Sequence, residues 1–392
     1  MGRIQALTGN YSAAEGAALC HLDVVAAYPI TPQSSVVETL AGKVHNGEID
    51  ANMVQVECEH SAMSVVQGAS AGGARTFTAT SAQGLALMFE PYFRQASLRF
   101  PMVMALATRE MTSPETVWSG QQDAMVVRDA GWMQVFCDSN QEILDMIIQG
   151  YMISEDPSVL IPINVCYDGF YSSHLTEGVD IPLQEEVDEI LKPVSFTNGR
   201  LDPNAPLALD PMTPGAPCIR YRKSHMDAMA RAKDVIARVD KKFGDKFGRY
   251  YGGLISTYKM EDADVAIITI AGMTGTGMDA VDIARENGIK VGLIKLRFTR
   301  PFPAEELAKA LKNVKAWSVI DRSVCFGWNQ GPMYMETKAA LVDVDNKYCH
   351  FSSIGGLSGA DISVDMIMST IEKLDEMKDE PGEKDVQWYF VD

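Results

Sequence analysis

Between residues 23 and 166, short apolar runs of strand length alternate with stretches whose apolar residues recur at helical spacing. Residues 23–28 (DVVAAY) read as a buried strand that breaks at Pro29 and Pro32, followed by a helix over 33–41. Further strands are expected at 54–57, 75–80, 102–107, 132–136 and 159–166, with a small-residue helix over 59–71 and another after Gly84. Strands linked by helices must run parallel, and their continuous apolar character means burial on both faces. A second strand–helix series starts at Asp264, with strands predicted at 265–271, 290–296, 316–321 and 348–353 and helices at 276–287, 304–311, 327–341 and 362–378. The predicted class is therefore α/β with two doubly wound domains, one over residues 1–180 and a smaller one over 261–392. Residues 181–260 carry Pro182, Pro193, Pro203, Pro206, Pro211, Pro214 and Pro217, and read as a connecting segment lying over the surface. That segment leads into a charged helix at about 224–247, and the charged stretch 377–383 reads as frayed or partner-contacting.

Charge and cysteine usage exclude several functions. A formal net charge of −18 argues against nucleic acid as partner, because phosphate binding needs a basic face. It also disfavours this chain as the main dock for an acidic electron carrier. The seven cysteines are dispersed with no Cys-x-x-Cys, so neither a disulfide framework nor an iron–sulfur cluster is expected on this chain. The apolar runs are too short for a membrane span, and residues 1–6 hold no apolar signal core, so no membrane association and a cytoplasmic location are expected.

In open parallel sheets ligands bind beyond the carboxyl ends of strands, which directs attention to the loops there. These are Tyr28-Pro29-Ile30-Thr31-Pro32, Glu57-Cys58-Glu59-His60-Ser61, Thr80-Ser81-Ala82-Gln83-Gly84, and the loop from Thr108 and Arg109 to Pro114. Gly272-Met273-Thr274-Gly275-Thr276-Gly277 also follows a strand, but its spacing is not that of a dinucleotide loop, and it reads as a tight strand–helix turn. The six histidines show no metal-ligand spacing.

Taken together these segments resemble the 2-oxoacid:ferredoxin oxidoreductases. The family's Y-P-I-T-P stands here as Tyr28 to Pro32, its acidic helix-start element as Glu57-Cys58-Glu59-His60-Ser61-Ala62, and its T-A-T-S-A-x-G-L-A-L-M stretch as Thr78 to Met88. The D-G-F-x-x-S-H element is Asp168 to His174, R-P-F-P is Arg300 to Pro303, and the V-x-D-R strand end is Val319-Ile320-Asp321-Arg322. The resemblance implies a thiamine-pyrimidine-binding-like domain followed by a transketolase C-terminal-like domain, and a chain acting as the alpha-type subunit.

The same resemblance implies roles for particular residues. Thiamine diphosphate needs a carboxylic acid beside its pyrimidine nitrogen to favour the imino tautomer, and Glu59 stands where a helix start favours a carboxylate. Tyr28 and Pro29 are expected to line the cofactor pocket. Thr31 and Arg109 are the family's pair for the substrate carboxylate, Arg offering a fixed fork of donors and Thr a hydroxyl. Local helix capping by Glu59, a surface ion pair for Arg109 and core packing of Tyr28 are the purely structural alternatives.

No G-D-G occurs in the chain, so the Mg²⁺ and diphosphate grip of a thiamine site are missing. The resemblance therefore implies a beta-type partner subunit carrying the Mg²⁺ site and a [4Fe-4S] cluster, further gamma- or delta-type subunits, and ferredoxin as electron acceptor. A non-catalytic assembly subunit is the reading from another class, and the presence of Thr31, Glu59 and Arg109 together argues against it.

The substrate is expected to be a small acid. Pyruvate-type relatives read about N-R-A-L-S-G-P and then D-H-S-D, where this chain has Thr108-Arg109-Glu110-Met111-Thr112-Ser113-Pro114 and then Gly120-Gln121-Gln122-Asp123. Loss of the histidine and gain of two amides and Trp118 favour oxalate, with its two carboxylates, and similarity to the oxalate-cleaving members; pyruvate or another 2-oxoacid is the alternative.

Overall fold

The computed structural model describes residues 3–111, 114–194, 199–342 and 348–391. Thr112 and Ser113 of the Arg109 loop lie outside the described residues.

Two seven-stranded sheets carry the described residues. The first runs in the order Phe298–Arg300, Met133–Phe136, Ile163–Asp168, Val103–Thr108, Thr76–Thr80, Val24–Ala27, Asn52–Gln55. All its pairings are parallel except that of Phe298–Arg300 with Met133–Phe136. Successive side chains of a strand face opposite ways, and the apolar run at its centre shows the consequence. Met102, Met104 and Leu106 join one core with Met63, Val66 and Tyr92, while Val103, Ala105 and Ala107 join another with Ala13, Ala17 and Ile147. Helices thus cover both faces, as the unbroken apolar strands require. Gly16 permits one of these contacts, since a Cβ there would lie 2.7 Å from the Leu144 carbonyl oxygen.

The second sheet runs Gly382–Glu383, Cys349–Ile354, Ala316–Asp321, Val265–Thr269, Val291–Leu296, Ile255–Tyr258, with Gln387–Trp388 also pairing Cys349–Ile354. Its pairings are parallel except at the Ile255–Tyr258 edge. A separate antiparallel pair joins Arg3–Thr8 to Thr176–Ile181.

Several local expectations need correction. Ile255–Tyr258 belongs to the second sheet, not to the connecting segment. The charged helix spans Ala216–Phe247, with Pro217 in its first turn where a missing N–H costs nothing. Only Pro332–Ala340 of the 327–341 stretch is helical. Its start is held by Asp321, whose carboxylate accepts from the Met333 and Tyr334 amides at 3.0 and 3.1 Å. The stretch 377–383 is not frayed, because Gly382–Glu383 adds a parallel edge to Cys349–Ile354. The tight turn expected over 272–277 is shorter than read: the junction ends at Gly272, and Met273 to Gly277 already belong to the helix Met273–Glu286.

The two sheet units are joined by buried charge. Glu142, on the helix Asn140–Ser154, pairs with Lys295 at 2.5 Å and Arg297 at 2.8 Å, and all three are almost fully buried. Burial alone would raise the Glu142 carboxyl, but the two cations outweigh it and hold it down at about 2. Glu142→Ala leaves Arg297 buried without a carboxylate, so a loss of about 3–5 kcal/mol is expected, read as a lower denaturant midpoint. Asp168 and Arg322 make a second joint at 3.0 Å, and Asp168 also accepts from the Gly272 amide at 2.8 Å. Arg300 makes a third, with Glu336 and Asp129. Three of the motif residues singled out in the sequence are therefore fasteners between the units. Among the described residues, no helix is long and apolar enough to cross a membrane.

Candidate functional site

The sheet order places four neighbouring strands side by side: Val103–Thr108, Thr76–Thr80, Val24–Ala27 and Asn52–Gln55. Parallel direction puts their carboxyl ends on one edge, so the four candidate loops emerge next to one another.

Glu59 opens the helix Glu59–Ala71, and the strand Val24–Ala27 lies between its strand and the one that leads to the loop after Thr80. It is only 5% exposed, and burial raises its carboxyl above the ordinary range, against a smaller opposing pull from its own backbone N–H. The carboxyl lies over Gly84, where a Cβ would come within 2.6 Å of Glu59 Oε1 and 2.4 Å of Thr80 Oγ1. Any side chain at 84 would displace it. Thr80 Oγ1 is itself buried with no hydrogen-bond partner among the described residues.

Arg109 follows the strand Val103–Thr108 and is 5% exposed. Its Nη1 donates to the Thr31 carbonyl at 2.8 Å and its Nε to the Thr116 carbonyl at 3.0 Å. Burial lowers the guanidinium's pKa, with Asp123 and Glu115 acting the other way. Thr31 and Arg109 are thus brought together through the Thr31 backbone, while the Thr31 side chain stays exposed. Tyr28 is 39% exposed and Pro29 is exposed beside it, so Tyr28 is not a core residue. The Tyr28 carbonyl accepts from Gln33 Nε2 at 3.0 Å, which pins the loop to the helix after it.

Asp123 went unassigned in the sequence. It is buried and accepts three backbone amides: Ala82 and Arg109 on Oδ2, both at 3.0 Å, and Ala124 on Oδ1 at 2.8 Å. Burial pushes its carboxyl up to about 7 against the pull of those amides. No spacing rule marks such a residue, since its donors lie on separate loops.

Trp118, which favours oxalate, is turned away from Arg109, and so is Glu110, whose carboxylate would hinder a dianion. Arg109 pairs with Ser119 in an antiparallel bridge, and alternation then sets Glu110, Trp118 and Gly120 on the opposite face from Arg109. Contacts agree with this. Glu110 lies against Gly120 and takes the Ser358 amide, burial lifting it to about 7 with Arg322 opposing. Trp118 packs on Phe170, ring centroids 4.4 Å apart, and against Gly359. The Gln122 amide oxygen accepts from the Met111 amide at 3.2 Å. Gln121 is buried with neither side-chain amide atom hydrogen-bonded among the described residues.

The family described as pyruvate flavodoxin/ferredoxin oxidoreductase, thiamine diP-binding, matches residues 15–241, and pyruvate:ferredoxin oxidoreductase core domain II matches residues 263–367. The chain belongs to the pyruvate:ferredoxin oxidoreductase family. Within that family it is 47% identical over 373 residues to the NADH-dependent phenylglyoxylate dehydrogenase subunit alpha of Aromatoleum evansii, covering 93% of this chain and 89% of the relative. It is 41% identical over 381 residues to pyruvate synthase subunit PorA of Methanocaldococcus jannaschii, covering 97% of each. Ketoisovalerate oxidoreductase subunit VorA of Pyrococcus horikoshii is 40% identical, covering 98% of this chain and 97% of the relative. The fold matches that of a 2-oxoglutarate:ferredoxin oxidoreductase from Magnetococcus marinus with TM-score 0.70 at 20% identity, over 94% of this chain and 65% of that longer one. A split-gene transketolase matches with TM-score 0.56 at 11% identity, over 95% of this chain and all of that one. The thiamine-binding domain followed by a transketolase-C-like unit is the arrangement the resemblance implied.

Proposed function

We propose that this chain is the alpha subunit of a 2-oxoacid oxidoreductase and supplies the pyrimidine-facing and carboxylate-facing half of a thiamine diphosphate site. The observation that carries this reading is a buried carboxyl, Glu59 over the bare Gly84, and a buried guanidinium, Arg109, on the same sheet edge with two strands between theirs. Glu59 has the raised proton affinity that suits holding a proton at a ring nitrogen, and the unpartnered Thr80 Oγ1 beside it offers a polar contact. These residues fit the pyrimidine end of the cofactor, with Tyr28 and Pro29 at its edge. When bound, thiamine diphosphate supplies the nucleophilic carbon that loosens the bond between the carboxylate and the 2-oxo carbon. Arg109, fixed by Thr31 and Thr116, orients the substrate carboxylate, and Thr31 adds its exposed hydroxyl. A beta-type partner is proposed to bring Mg²⁺, the diphosphate grip and a [4Fe-4S] cluster, with gamma- or delta-type subunits passing electrons to ferredoxin in the cytoplasm.

Of the two substrate readings, a 2-oxoacid with a carbon side chain is better supported than oxalate. Relatives at 40–47% identity bear the names of phenylglyoxylate, pyruvate and ketoisovalerate enzymes. Trp118, on the opposite face from Arg109, packs on Phe170 and Gly359, and Gln122 is occupied by Met111; Glu110, a carboxylate that would hinder a dianion, is turned away as well. Buried Gln121 is the remaining feature on the side of oxalate, as a spare polar group. The test is viologen reduction by the assembled complex, with thiamine diphosphate present or omitted, on pyruvate, ketoisovalerate, phenylglyoxylate and oxalate. Cofactor-dependent turnover of at least one 2-oxoacid is expected to exceed that of oxalate; oxalate alone as substrate would reverse the ranking, and turnover indifferent to the cofactor would remove the site.

A further inference from the structure

We infer that Asp123 is a positioning residue that locks the turn beneath Glu59 and the loop bearing Arg109 to one carboxylate, so that the cofactor-facing and substrate-facing groups hold a fixed relation. The inference rests on the reading of Glu59 and Arg109 given above.

The hydrogen bonds carry it. Asp123 Oδ2 accepts from Ala82 on the turn after Thr80 and from Arg109 on the next loop, both at 3.0 Å. A residue that merely capped its own short helix, Gln122–Val126, would need only the Oδ1 contact to the Ala124 amide. Among the described residues, the second oxygen accepts from the two site loops alone. Ala82 has φ +35°, a conformation an L-residue holds only when its surroundings impose it. Two anchors impose it here: the Asp123 bond to its amide, and Ser81 Oγ donating to the Ala107 carbonyl at 2.7 Å on the strand leading to Arg109. From Ala82 the chain reaches Gly84 within two residues, and Gly84 is the floor on which the Glu59 carboxyl rests. Displacing Ala82 therefore displaces that floor, and releasing the Arg109 amide frees the base of its side chain. One buried carboxylate couples both.

The experiment uses the assembled complex carrying Asp123→Ala, Asp123→Asn or Asp123→Glu. Three quantities are read: amide hydrogen exchange over Ala82 and Arg109, calorimetric Kd for thiamine diphosphate, and KM for the 2-oxoacid. In Asp123→Ala both amides are expected to exchange faster, and Kd and KM are each expected to rise by about tenfold or more, the scale of effect for misplacement of a site by a fraction of an ångström. Asp123→Asn can place its amide oxygen at the Oδ2 position and keep both donors, so Kd and KM are expected to stay within about threefold. Should Asp123→Ala fail to assemble, Asp123→Glu serves: it keeps the charge but shifts the oxygens, and a joint rise in both constants is expected. Unchanged constants in Asp123→Ala, or in Asp123→Glu where that variant stands in, overturn the inference. So does an Asn variant as impaired as Ala. Glu59→Gln and Arg109→Ala run alongside. No effect from either removes the site assignment and this inference with it, whereas clear effects from both and none at Asp123 remove the inference alone.

Discussion

Glu59→Gln is expected to lower kcat of the assembled complex by about 10²–10⁴-fold, the usual contribution of a positioned acid or base. Gln has the same shape and still fits above Gly84, so the pocket is preserved. What it lacks is an acidic proton that can be transferred to the pyrimidine nitrogen. Retention of more than about a tenth of the wild-type rate would show that Glu59 is not the acid of this site. Stability should move the other way. Burial raises the folded-state carboxyl, so as pH rises through the unfolded-state value the unfolded chain ionises first and folding loses stability. At low pH both states are protonated and the penalty vanishes. Thermal scans of Glu59→Gln should therefore match wild type in acid and lie at or above it near neutrality. A variant both slow and unstable at neutral pH would point to a structural role.

Arg109→Ala is expected to reduce kcat/KM for the 2-oxoacid by about 30- to 1,000-fold, the cost of removing one partner of a buried charge pair. The effect should fall on KM, with thiamine diphosphate affinity little changed, which separates it from the Asp123 and Glu59 variants. Arg109→Lys should lose nearly as much. The guanidinium spends Nε on the Thr116 carbonyl and Nη1 on the Thr31 carbonyl, and an ammonium cannot reproduce that fork. A lysine variant within about threefold of wild type would mean that charge suffices and the fork does not matter. Inhibition by a simple carboxylate analogue, compared between the two variants, reads the same question without turnover.

Much of this protein is written locally. Strand and helix follow from the period of the apolar residues, and the unbroken run from Met102 to Ala107 by itself required a sheet buried on both faces. The helix over Glu59–Ala71 falls where its small residues and acidic start place it. The four loops could be chosen from sequence because parallel strands present their carboxyl ends together, and Glu59, Arg109, Thr31, Tyr28 and Pro29 all lie on that edge. Tertiary structure decided what depends on contacts between distant segments. Phe298–Arg300 leaves its own unit to edge the first sheet, and Gly382–Glu383 pairs where the charge of its neighbours suggested fraying. The bridge between Arg109 and Ser119 turned Glu110 and Trp118 away from Arg109, and no local pattern encodes that register. Asp123 gained its place by the same means. A carboxylate accepting amides from three positions is defined by where the loops meet, and the residue's own neighbours in the chain carry no trace of that meeting.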